Sequence, residues 1–80
     1  MLLKKQEAIS QSKKIKVVMD PDEYSDGSVG YHVFIYDLNS SSDKCIRDEQ
    51  YFEDELDDFY FSLTARFGIK KEDFYPIIEN

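Results

Sequence analysis

The chain has no tryptophan, one cysteine, one histidine, two prolines and three glycines. Each scarcity excludes something. A lone Cys45 rules out an intramolecular disulfide and points to a reducing cytoplasm. Three glycines leave no phosphate-cradling loop and no nucleophile elbow. His32 and Cys45 are the only residues from which a Cys–His nucleophile could be made. His32 lies between Tyr31 and Val33 in a strand-like run, the setting of a packing or rim histidine. The start, MLLKKQEAIS, lacks the apolar stretch of a signal peptide, and no run approaches membrane-spanning length. There are no repeats. Asn39-Ser40-Ser41 matches a glycosylation sequon and reads as a polar loop.

Large apolar side chains and acid are plentiful. Among 80 residues are six Tyr and six Phe, enough aromatic area to build the core of one small domain. The formal net charge is −7, unevenly spread. Residues 1–19 carry five lysines against Glu7, a surplus of +4, and residues 20–80 carry −11. Such a body repels nucleic acid and anionic membranes and attracts basic surfaces.

Residues 2–12 read as a short helix or a frayed tail. Ile15, Val17 and Met19 alternate as a strand does, and Asp20-Pro21-Asp22 and Ser25-Asp26-Gly27 are turn chemistry. Tyr31 to Leu38, YHVFIYDL, is the strongest strand, apolar on both faces and so expected to be central, or covered by a helix on one side and by something else on the other. Lys44 to Arg47 reads as a short third strand. A helix follows from Glu49 to Phe67, with Asp48 as N-cap. Its core stripe is Phe52, Leu56, Phe59, Tyr60, Leu63 and Phe67. Gly68 stops it and Ile69 folds back, while Lys70 to Tyr75 forms a turn or two and Phe74, Ile77 and Ile78 tuck under the core edge. The expected fold is α+β. A three-stranded antiparallel sheet packs on one long amphipathic helix, with short helical segments at both termini.

Within that helix, EDELDDFY (residues 53–60) places five carboxylates in six consecutive positions. Opposite the core stripe lie Asp54, Asp58, Phe61 and Ala65, with Asp57 and Tyr51 beside them and Glu53 and Glu55 flanking. Asp54 and Asp58 are like charges at i,i+4, and Phe61 sits about 150° from the core stripe. The carboxylates fall about one per 1.8 Å of helix, close to the ~1.7 Å spacing of phosphate charge along duplex DNA. An acidic helix face is ordinarily a solvated face. The off-stripe aromatic and the acids Asp20, Asp22, Glu23 and Asp26 support the other reading, a surface that meets a basic partner. DPDEYSDG also resembles a calcium loop, but counting from Asp22 puts Val33 where the bidentate Glu belongs.

The order helix, three strands, helix, short helix in an acidic chain resembles the small αβββαα anti-CRISPR inhibitors of CRISPR effector nucleases. That resemblance implies charge mimicry of DNA, with Asp54, Asp57, Asp58 and the acids of 20–26 meeting basic residues that read nucleic acid. Val17 to Leu38, VVMDPDEYSDGSVGYHVFIYDL, resembles the first hairpin of HicB-like antitoxin N-terminal domains, which implies partner binding through the sheet. Both imply a non-enzymatic cytoplasmic protein that silences a nucleic-acid enzyme, with no cofactor, no metal and no direct contact with nucleic acid or membrane.

Overall fold

Ile15, Val17 and Met19 point one way and Lys16, Val18 and Asp20 the other, and this period of two builds the strand at the centre of the sheet. The computed structural model describes residues 4–39 and 44–77. In it β1 (Gln6–Ser10), β2 (Ile15–Glu23), β3 (Val29–Asp37) and β4 (Lys44–Phe52) precede a 3-10 turn, Glu53–Glu55, that leads into α1 (Leu56–Phe67). A second 3-10 turn, Lys71–Asp73, leads into the short β5 (Tyr75–Pro76). The strands form one antiparallel sheet in the order β4-β3-β2-β1-β5.

Three strands were expected and five are present. Residues 6–10 are a strand where the sequence predicted helix. Ala8 is fully buried opposite Val17, and Gln6 and Ser10 face the same side. Pairing with β2 over five residues outweighs the weak helical spacing of Leu2, Leu3 and Ile9; Leu2 and Leu3 lie outside the described residues.

The predicted long helix is also shorter than expected. Residues 44–52 are one continuous strand covering the outer edge of β3, with Glu49 opposite Val33 and Tyr51 opposite Tyr31. Asp48 is therefore no N-cap and Phe52 no part of the core stripe; Phe52 is exposed. The remainder of the stripe holds. Phe59 and Leu63 are buried, with Leu56, Tyr60 and Phe67 packed against the core. The helix ends at Gly68, whose φ of 70° suits a residue without Cβ, and its N–H bonds to Thr64 O at 3.0 Å. Ile69 returns to the core, 2% exposed.

Nor is Asp20-Pro21-Asp22 a turn, for β2 runs on to Glu23. Pro21 sits beyond the last β1 partner, Met19, where β2 has an open edge and the missing N–H leaves no β1 carbonyl unpaired. At the C-terminus the short helical piece is a 3-10 turn, after which Tyr75 pairs with Glu7 and the Ile77 N–H reaches Lys5 O at 2.9 Å. Phe74 packs against the core; Ile78 and residues 40–43 of the expected loop lie outside the described residues.

Candidate functional site

The helix covers one face of the sheet. Ala8, Val17, Met19, Tyr31, Val33 and Ile35 all turn toward Phe59 and Leu63. The shortest principal extent is 20 Å, room for one sheet and one helix layer. Two surfaces of different chemistry follow: the exposed side of α1 and the outer side of the sheet.

At the start of α1 the carboxylates have a local physical role. Glu53, Asp54 and Glu55 fill the 3-10 turn, with Asp57 and Asp58 in the first turn of α1. Negative charge is favourable there because the leading N–H groups and the helix dipole point toward it. Glu55 Oε1 accepts the Phe52 N–H at 2.9 Å, satisfying one of those donors. The like-charge cost of Asp54 and Asp58 is thus set against a favourable position that the longer predicted helix concealed.

Phe61 has no such explanation. It is 79% exposed on α1, one turn beyond Asp57 and Asp58, and takes no part in the core. Asp54, Asp57 and Asp58 are all exposed. Tyr51 does not belong with them. It lies on β4, half-buried, its ring 4.6 Å from that of Phe59, its hydroxyl donating to Glu49 Oε1 at 2.7 Å. Burial and that acceptor push its phenol up to about 12.

The structure divides the other acids. Asp26 joins Glu53 and Asp54 around an open concavity floored by Val29 and Phe52. Asp26 Oδ1 accepts the Ser28 N–H and hydroxyl at 2.9 and 2.6 Å, which holds its carboxyl below the usual range and shapes the Tyr24–Ser28 turn. Glu53 and Asp57 also line a second hollow with Gln6, Tyr31, Tyr60 and Lys71. Asp20 and Asp22 are elsewhere, on the outer side of the sheet. Asp20 is opposite His32, and Asp22 accepts from Gln50 Nε2 at 3.5 Å. Glu23 ends β2 and is exposed.

That outer side is the surface the sequence reading missed. Val18, His32, Phe34 and Tyr36 are half-buried there, with Ile9 exposed beside them. The His32 ring stacks on Phe34 at 4.3 Å and 19°, and Lys16 lies over the Tyr36 ring at 5.1 Å. Among the described residues no second layer covers them. The signal was present in YHVFIYDL, apolar on both faces, but the expected cover exists on one face only. His32 Nε2 makes no hydrogen bond and lies 3.7 Å from Asp48 Oδ1. Cys45 is exposed at the far end of β4, opposite Tyr36 and so four residues along β3 from His32, and ~13 Å of strand separates the only thiol from the only imidazole.

No protein-family model, curated protein or solved structure matches the chain. Among the described residues no helix is long and apolar enough to cross a membrane.

Proposed function

We propose that this chain is a small non-enzymatic inhibitor of phage or mobile-element type, acting in the cytoplasm. It binds a nucleic-acid-binding enzyme, of the CRISPR-effector kind, and occupies its basic nucleic-acid site by charge mimicry. The observation that carries this reading is Phe61, 79% exposed with Asp57 and Asp58 one turn before it and Asp54 two turns before it. Helix-dipole compensation accounts for acid at the start of α1. It does not account for a large apolar ring left in water beside that acid. An aromatic side chain is a common interface anchor, a polar rim commonly encloses it, and the −11 surplus after residue 19 supplies the steering field.

The test is capture from a bacterial lysate on the tagged chain, at low and at high salt, with duplex DNA as competitor. The reading expects a nucleic-acid enzyme that is held at low salt and released by high salt or DNA. It also expects Asp54→Lys with Asp58→Lys to abolish capture, and Phe61→Ser to weaken it at least tenfold. Unchanged binding by the double lysine variant refutes the surface.

A second reading, an antitoxin-like or accessory subunit that binds its partner through the sheet, is favoured by the half-exposed Phe34 and Val18, which no second layer covers among the described residues. Its partner would remain bound through high salt, because apolar burial is not screened.

A further inference from the structure

The outer side of the sheet carries charge in an ordered way. Its rows run across the strands, set by the register. The central row is Glu7, Val18, Phe34 and Asp48. The row on one side is Ile9, Lys16, Tyr36 and Cys45. The row on the other side is Asp20, His32 and Gln50, with Asp22 beyond it. The face therefore carries Lys16 toward one end, Asp20 and Asp22 toward the other, and Val18 and Phe34 at its centre between the rim acids Glu7 and Asp48.

We propose that this face binds a second copy of the chain, forming a two-fold symmetric dimer with the helices outermost. Place the two-fold axis in the interface, across the strands, through Val18 and Phe34. The rotation lays the row of one copy that holds Lys16 over the row of the other that holds Asp20. Lys16 then meets Asp20 of the second copy, and Tyr36 meets His32, each contact occurring twice. Val18 and Phe34 meet their own counterparts at the centre. A two-fold contact must be self-complementary in this way, since one patch supplies both sides. The arrangement also buries the half-exposed Phe34 and Val18, over which no second layer lies among the described residues.

Two contacts oppose it. Glu7 and Asp48 each face their own copy on the axis, at the two rims. Glu7 already accepts the Tyr75 hydroxyl at 2.9 Å, and Asp48 lies beside His32, so both carboxylates sit next to a polar group at a position water can reach. The footprint is modest. Nine residues of strand and four strands give roughly 30 by 19 Å, or about 570 Å² on each copy, below the ~800 Å² of a standard interface. The dimer is accordingly concentration-dependent. The inference is independent of the inhibitor reading proposed above, which uses the opposite side of the molecule, and it competes with the second reading for this face.

The test is sedimentation equilibrium of the full chain from micromolar to millimolar concentration, with circular dichroism confirming the fold of every variant. A monomer–dimer equilibrium is expected. Lys16→Asp alone and Asp20→Lys alone should each weaken it about tenfold or more, because each places two like-charge pairs in the interface. The double variant, Lys16→Asp with Asp20→Lys, should restore it to within a few-fold of the starting value. Phe34→Lys should leave a folded monomer. A monomer at every concentration overturns the proposal. So does a double variant as weak as its two parents combined, because then Lys16 and Asp20 do not meet. A chain that stays monomeric yet buries this face on a different protein overturns it as well.

Discussion

The Tyr51 hydroxyl, held 2.7 Å from Glu49 Oε1, gives the protein a built-in sensitivity to base. Its pKa is raised to about 12 by burial, then by the hydrogen bond and the charge of Glu49. An unfolded tyrosine titrates near 10. A folded pKa above the unfolded one means that the contribution is complete below pH ~10 and is lost as pH rises toward 12. Tyr24, Tyr31, Tyr60 and Tyr75 shift in the same direction, Tyr24, Tyr31 and Tyr60 chiefly by desolvation and Tyr75 through Glu7. The thermal midpoint should therefore fall between pH 10 and 12, and less steeply in Tyr51→Phe than in the parent. Equal slopes would show that Tyr51 does not carry the effect. Gly30 makes a different demand. A Cβ there would lie 2.2 Å from the backbone oxygen of Tyr51, so β4 can approach β3 this closely only at a glycine.

The first turn of α1 shows why its acid is compatible with a stable helix. Glu55 closes the backbone at Phe52, and Asp57 and Asp58 lie where the dipole favours them. Glu55→Ala should cost about 1 kcal/mol in chemical denaturation, the usual worth of a helix-start side-chain bond. Asp54 and Asp58 share that dipole term, so the double lysine variant should lose about 1–2 kcal/mol, and its binding is read once circular dichroism shows it folded. The edge strand β4 carries its own protection against unwanted pairing. A bulge between Ile35 and Tyr36 interrupts its ladder with β3, and Arg47, paired with Glu49, and Asp48 place charge along it.

Over the entire fold the dominant electrostatic fact is the net charge of −7. Carboxylates at the start of α1, in the 24–28 turn and along the acidic end of the sheet repel one another in the folded chain. Raising salt from ~10 mM to ~0.5 M should therefore raise the thermal midpoint by a few degrees, because the Debye length falls below the spacing of these groups. A midpoint that falls with salt would mean that ion pairs such as Arg47–Glu49 outweigh the repulsion.

The amino-acid order alone determined what depends on local spacing. The alternation of Ile15, Val17 and Met19 marked β2, and YHVFIYDL marked β3. The stripe from Leu56 to Phe67 marked the helix, with Gly68 its end and Ile69 the return. Phe61 off that stripe and the run of acid before it were legible for the same reason. Lys44 to Arg47 marked the start of β4, but only the tertiary structure decided β1, β5 and the extension of β4 to Phe52, because strand pairing joins residues far apart, as Glu7 joins Tyr75. A short polar segment becomes a strand when a neighbouring edge has backbone groups to satisfy, whatever its own pattern. That competition turned residues 49–52 from helix into sheet, moved Tyr51 from the acid face to the core side and carried Asp20 and Asp22 to the far side of the sheet. It also left Phe34 and Val18 uncovered, since the single helix of the described residues packs on one face of the sheet and leaves the other open.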